Sequence, residues 1–405
     1  MPEPNQRRAA SLLTTAGNRR KPHLGRNHMA SYEQQMSTSA LIDDKWSGLS
    51  QTTKDAISAL LGAETTDVTV SGYDGTGPVV EGTQAVSASA DVTSDLGAQV
   101  VVMEGNTSAN VNFAADSAIS AMVLGSGNNN VTFAADKNIS VETTGGESTI
   151  ATAGGNDQIV LKAGNATVNT GEGNDTVLLQ GDGQSHITGG SGNMTVKLDT
   201  NVGVATIDAG DGFDQLTLQD SRAAHSFTIE NGNVVMHSDN AITMKGVQVV
   251  TFDTNKDGVI TADDSITVIA ENAHDSLVAT LYKVALGREA IDGADGWDNS
   301  TLGGLNWWMN EFEKGATDGS TEHLVRSFLN CDEFHQKYDG MGNADYVNTL
   351  ISNAGISVDG AAWIAALESG ELDREQVAYE VATNEQTVQL LGSNGENYII
   401  EAFTE

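Results

Sequence analysis

Residues 253–264 read DTNKDGVITADD. Oxygen-bearing side chains fall at alternate positions, Asp253, Asn255 and Asp257, and Gly258 permits the sharp turn that follows. Val259 offers a backbone carbonyl, Thr261 a hydroxyl, and Asp264 a closing carboxylate. Oxygen donors at loop positions 1, 3, 5, 7, 9 and 12 suit a hard divalent cation, calcium above all. Asp264 stands where a longer Glu would reach the ion with both oxygens, so weaker binding is expected.

A second set of acidic residues lies upstream, in a repeat. VNFAADSAIS (111–120) recurs as VTFAADKNIS (131–140), and after residue 145 the spacing tightens to nine or ten. Aligned on the residue two before each branched apolar position, the slot is Asn129, Ser148, Asp157, Ala166, Asp175, Ser185, Met194 and Asp214. Two residues later stand Val131, Ile150, Ile159, Val168, Val177, Ile187, Val196 and Leu216, always with a polar residue between. Alternation tied to a fixed period predicts turn, strand, turn, strand with one face inward. Strands this short bury a face only by stacking, which gives a solenoid.

GGNDQIVL (154–161), GEGNDTVLL (171–179), GGSGNMTVKL (189–198) and GDGFDQLTL (210–218) resemble the RTX nonapeptide repeat of the parallel β-roll. That resemblance implies calcium held between turns two repeats apart on one edge, by turn carbonyls such as those at Gly155 and Gly173 and by the slot carboxylates. One edge then carries Asp157, Asp175, Met194 and Asp214, and the other Ser148, Ala166 and Ser185. Asp157 and Asp175 make the best pair; Met194 offers no oxygen and is expected to break the ladder before Asp214. A roll whose turns close by Asn and Gly hydrogen bonds alone is the alternative. The loop at 253 resembles that of an EF-hand or dockerin. EF-hand sensors flank such a loop with helices; this copy follows GVQVVTF and precedes a helical region, so it is expected to staple two domains at their junction.

The elements that position these groups follow from periodicity. Residues 1–37 form a basic arm, holding six of the 20 basic residues in its first 28 and only Glu3 of the 55 acidic ones. It is read as disordered, or as sequence upstream of a start at Met29. An amphipathic helix is expected over 38–65, with Leu41, Ile42, Trp46, Leu49, Ile57, Leu60 and Leu61 on one face. The solenoid takes 66–252, the calcium loop 253–264, and a helical domain 272–390. In that domain Trp308 and Trp363 each precede a glycine by seven residues, Gly315 and Gly370, an internal duplication. LYKVALGR (281–288), with the tryptophans and a helix ending in EF, resembles a helical domain of unknown function that accompanies RTX repeats. Residues 391–405 form a tail, read as a secretion signal. The fold class is therefore mainly β plus α: a parallel β-roll followed by a duplicated all-α domain.

Beyond residue 28 the chain has 14 basic and 54 acidic residues, a net charge of −40, which repels nucleic acid and anionic lipid and attracts divalent cations. One cysteine, Cys331, excludes a disulfide framework. No apolar run approaches a membrane span. No zincin helix, phosphate loop or nucleophile elbow is present, and the eight histidines are scattered. The expectation is a non-enzymatic, calcium-stabilised, exported structural or adhesive surface protein, such as an S-layer, matrix or filament component. Its partners would be cell-surface polysaccharide or further copies of itself. The RTX resemblance implies type I secretion without an N-terminal signal peptide. Other readings are a calcium-dependent polysaccharide lyase or epimerase, and a phage or virion structural protein.

Overall fold

A computed structural model describes residues 33–63, 65, 67–199, 202–237, 240–256, 265–270, 273–288, 303–316, 321–393 and 398–400. The chain winds as a parallel β-solenoid of about eight turns over residues 70–218, followed by a helical region. Successive strands alternate between two sheets. The first sheet stacks Val100–Met103, Ala121–Leu124, Ser140–Thr143, Gln158–Leu161, Asp175–Leu179, Met194–Leu198, Gln215–Leu218 and Val249–Phe252 in that order. The second stacks Asn110–Phe113, Asn129–Phe133, Glu147–Ala151, Asn165–Asn169, Ser185–Thr188, Ala205–Asp208 and Ile242–Lys245.

The branched apolar positions lie in register: Val141, Ile159, Val177, Val196, Leu216 and Val250 in one sheet, and Val131, Ile150, Val168, Ile187, Ile207 and Met244 in the other. All are buried in one core between the sheets. Each contributes about 1.5–3 kcal/mol on leaving water.

Strands VVVM (100–103) and AMVL (121–124) are apolar on both faces because both are covered. Their outward residues Val100, Val102, Ala121 and Val123 pack under Leu41, Ile42, Trp46, Ile57 and Leu61 of an N-terminal cap. That cap runs as Thr38–Ala40, Leu41–Lys45 and, after a break, Gln51–Leu61. Ser50 caps the last helix, its hydroxyl accepting from the Thr53 N–H at 3.1 Å. The buried Glu142 carboxylate accepts from the Ser50 hydroxyl at 2.6 Å and the Ser50 N–H at 3.0 Å, and Lys162 Nζ stands 3.3 Å away. A carboxylate at a helix N-terminus is favoured by the dipole, so this clasp ties the cap to the strand Ser140–Thr143 and to the end of Gln158–Leu161.

Three departures from the expected order concern the solenoid's far end. Residues 219–241 do not make another coil. They carry an antiparallel hairpin, Ser226–Glu230 against Asn233–His237, that extends the second sheet. Residues Ser265–Ala270 are not the approach to a helix but a strand antiparallel to Val249–Phe252. SITVIA has the alternation of a strand, which the helical pattern just after it obscured. Tyr398–Ile400, within the expected tail, pairs parallel with Ser265–Ala270.

Helices then follow from Ala273–Leu281 to Glu385–Ser393. Tyr282, Phe312, Phe328, Tyr338 and Tyr346 form their core, and Phe213, Val249, Val268 and Ala270 of the solenoid belong to the same cluster. Trp308 packs on Phe328 with ring centroids 5.0 Å apart, whereas Trp307 is exposed. Gly370 ends Ala361–Ser369 in the left-handed conformation, as a glycine following a helix should. Cys331 is half-buried at the N-cap of Asp332–Tyr338. No helix among the described residues is long and apolar enough to cross a membrane.

Candidate metal edge

The strand assignment puts Asp157, Asp175, Met194 and Asp214 at the start of the first sheet's strands, and Ser148, Ala166 and Ser185 at the start of the second's. The two edges are therefore chemically distinct, as the repeat alignment required. The aspartates are buried, at 2% exposure for Asp157, 3% for Asp175 and 0% for Asp214.

Each carboxylate accepts a backbone N–H from the preceding coil. The Ile139 N–H donates to Asp157 Oδ1 at 2.7 Å, and the Asp157 N–H to Asp175 Oδ1 at 2.8 Å. Further on, the Met194 N–H donates to Asp214 Oδ1 at 2.5 Å, and the Asp214 N–H to Gln248 Oε1 at 2.6 Å. Between these two runs the side-chain ladder is broken. Met194 has no oxygen, and the Asp175 N–H turns instead to the Asn193 carbonyl at 3.0 Å. The hydrogen-bond ladder thus breaks at Met194, the residue expected to interrupt a ladder of ions.

Asn side chains make a second ladder one residue upstream, running the opposite way. Asn156, Asn174, Asn193 and Phe213 N–H groups donate to the amide oxygens of Asn138, Asn156, Asn174 and Asn193, at 2.8–3.0 Å. Closure of the turns by Asn hydrogen bonds is the alternative the sequence offered, but it did not single out these residues or Gln248. The signal was present, since Asn156, Asn174 and Asn193 each directly precede a slot residue, and Gln248 stands two before Val250.

Glycines let the turns nest. Gly155 and Gly173 have φ of +111° and +117°, and a Cβ on Gly173 would lie 2.0 Å from the Gly155 carbonyl oxygen. Gly192 and Gly212 repeat the arrangement, at 2.5 Å and 2.4 Å from the carbonyl one coil before. Turn carbonyls therefore stack in a column beside the aspartates.

Burial raises the Asp157 carboxyl pKa, against the opposing pull of Thr152 and the Ile139 N–H. Burial likewise pushes Asp175 up to about 6. The Asp157 N–H and the Thr170 hydroxyl oppose this, and the Asp157 charge adds to it. Asp157 Oδ2 is buried and accepts no hydrogen bond, the Thr152 hydroxyl donating to the Thr170 carbonyl at 2.6 Å. Two adjacent carboxylates, an open carboxylate oxygen and a column of carbonyls are a donor set that fits a hard cation. Among the described residues no three His, Cys, Asp or Glu side chains cluster closely enough to hold a metal by themselves. A cation here would thus take carbonyl ligands, such as those of Gly155 and Gly173, along with Asp157 and Asp175.

Of the loop at 253, Asp253 and Asn255 are described, while Asp257, Val259, Thr261 and Asp264 lie outside the described residues. Asp253 is 1% exposed, and its N–H donates to the Leu218 carbonyl at 2.8 Å; Asn255 is exposed. Phe252 pairs with Ser265 and Val249 with Val268, so the loop closes a hairpin of the first sheet. The interdomain staple is corrected accordingly, because both flanks of the loop belong to the solenoid.

No protein-family model, no curated protein and no solved structure matches the chain. The RTX likeness rests on the repeat residues themselves.

Proposed function

We propose that the chain is an RTX-type, calcium-stabilised structural or adhesive protein of a bacterial surface, exported by a type I route and non-enzymatic. The observation that carries this reading is the buried Asp157–Asp175 pair. At neutral pH two buried carboxylates one coil apart repel each other, and a divalent cation between the turns removes that cost. The net charge of −40 beyond residue 28 adds the same bias on the scale of the chain, opposing compaction where calcium is scarce.

In this role Asp157 and Asp175 would hold the ion with turn carbonyls, Asp214 would serve a separate site beyond Met194, and Asp253, Asn255, Asp257 and Asp264 a third in the hairpin loop. Bound calcium supplies charge neutralisation and cross-links coils; it performs no reaction. Isothermal titration with calcium, paired with circular dichroism in calcium and in EDTA, tests the proposal. Saturable binding with a gain of β-signal is expected, and no binding at 10 mM calcium refutes it.

One observation favours a second reading. Between the N-terminal cap and the helical region, the first sheet's outer face holds a groove of about 410 Å³ lined by Gln180, Lys197, Asp199, Gln215, Thr217 and Asp253. With Leu178 and Leu198 also in its lining, this trough offers both apolar surface and hydrogen-bonding groups to a glycan chain. Turnover of polyuronate by the pure protein would establish an enzyme in place of a scaffold.

A further inference from the structure

The second sheet ends in an open strand. Ser226–Glu230 pairs with Asn233–His237 on one side, and among the described residues no strand pairs with its other side. The sheet's opposite end is different: there the Asn110 N–H already donates to the Val92 carbonyl at 2.8 Å. Both faces of Ser226–Glu230 are largely exposed, and Ile229 is 43% exposed. An exposed edge with alternating apolar residues is a template for another strand.

The turn fixes which backbone groups point outward. Asn231 and Gly232 both have positive φ, 55° and 77°, and join Glu230 to Asn233 as a two-residue hairpin turn. The closing pair Glu230–Asn233 exchanges both hydrogen bonds, and pairs alternate from there. Thr228–Val235 is then hydrogen-bonded inward, while the N–H and C=O groups of Phe227 and Ile229 face the open side.

The sequence SFTIE is complementary to itself in the antiparallel sense. With Thr228 opposite Thr228 of a second copy, Phe227 meets Ile229 and Ser226 meets Glu230. Apolar faces apolar, and no carboxylate faces a carboxylate. The outward groups also match, since Phe227 and Ile229 are the residues that need partners. A parallel arrangement would set the two Glu230 side chains beside each other.

We propose that Ser226–Glu230 is a self-association edge, at which two copies pair antiparallel about a two-fold axis through Thr228 and join their nine-stranded sheets end to end. Phe227 and Ile229 share columns with the buried Met236 and Val234, so pairing extends the core face of the sheet and covers Ile229. The arrangement is isologous and closed, giving a dimer and not a fibre. A five-residue strand is a small interface, so the dimer is weak and concentration-dependent. The inference does not require the metal reading.

Sedimentation velocity in calcium, over about 10–500 μM protein, should show the mass rise from 42.3 kDa towards twice that value. Ile229→Pro deletes an outward N–H that the hairpin does not use, and should hold the protein monomeric throughout. Thr228→Cys, with Cys331→Ser, gives a second readout that does not depend on that variant folding. Residues opposite each other in a non-hydrogen-bonded pair lie about 4.5 Å apart at Cα, within disulfide reach. Mild oxidation should therefore link Thr228→Cys to itself, whereas Glu230→Cys alone should stay unlinked. A monomer at every concentration overturns the proposal. So does a dimer that survives Ile229→Pro and fails to cross-link at position 228, or assembly only with a different protein.

Discussion

Asp175→Asn separates the carboxylate's two roles. Asn keeps an oxygen to accept the Asp157 N–H, now bonded at 2.8 Å, but removes the buried charge. The Asp175 pKa is raised from 3.8 to about 6, chiefly by burial. The protonated, neutral form is the one the fold prefers, so the unfolded chain loses its proton first. Stability in EDTA therefore falls as pH rises from about 4 to about 6 and stays low above that. The full shift corresponds to about 3 kcal/mol as a ceiling, at 1.36 kcal/mol per unit. At roughly 2–4 °C per kcal/mol, Asp175→Asn in EDTA at pH 7.5 should melt up to about 6–12 °C above the unaltered protein. With 10 mM calcium the variant's advantage should shrink by the binding energy of the site. A site with Kd of about 10⁻⁴–10⁻³ M gains the unaltered protein about 1.4–2.7 kcal/mol, and the variant loses that gain. Differential scanning calorimetry in EDTA and calcium, at pH 5 and 7.5, gives all four values. The reasoning is refuted if Asp175→Asn melts no higher than the unaltered protein in EDTA, or if calcium raises both melts equally.

Other substitutions probe the remaining parts. Met194→Asp should restore the ladder between Asp175 and Asp214, lowering the melt in EDTA and adding about one calcium equivalent by isothermal titration. Gly173→Ala drives a Cβ against the Gly155 carbonyl and should cost more than about 3 kcal/mol by urea unfolding, with calcium binding weakened. Glu142→Ala leaves the Ser50 N–H and Lys162 without their carboxylate. About 1.5–3 kcal/mol should be lost, and Trp46, buried between the cap and the solenoid, should shift its fluorescence to the red. Asp253→Ala with Asp257→Ala should lower the β-signal melt, since the loop's flanks are paired strands of the first sheet, and leave the helical signal where it was.

The sequence carried most of the solenoid because one rule, a branched apolar residue two positions after each slot, repeats with nearly constant spacing. That rule placed Asp157, Asp175 and Met194 on one edge before any coordinates. It failed at Gln248 because the inserted hairpin separates this slot from Asp214 by 34 residues, which hides the period. The Asn ladder was legible only as an alternative to the carboxylate edge, and the structure has both side by side, because Asn in a turn does not by itself tell a ladder from a local turn former. The Glu142–Ser50 clasp spans 92 residues and has no local signature. The loop at 253 was recognised from its own residues, yet its surroundings were misplaced, since the six-residue strand after it is short beside the helical run that follows.

The chemistry of the slot itself argues for a cation. What the coil requires there is an acceptor for the N–H of its neighbour, and amides meet that need elsewhere in the roll. Asn129 Oδ1 accepts the Ala109 N–H at 2.9 Å on one edge, and Gln248 Oε1 accepts the Asp214 N–H on the other. An amide in that position costs no charge burial. At 157, 175 and 214 the chain instead places carboxylates, each almost wholly buried, and burial raises the pKa of Asp157 and Asp175, so at neutral pH their charge lowers the stability of the metal-free fold. A roll closed by hydrogen bonds alone has no use for that cost. Under the proposed function that cost has a use: carboxylates that would hold calcium where it is plentiful would also keep the empty roll marginal where it is scarce.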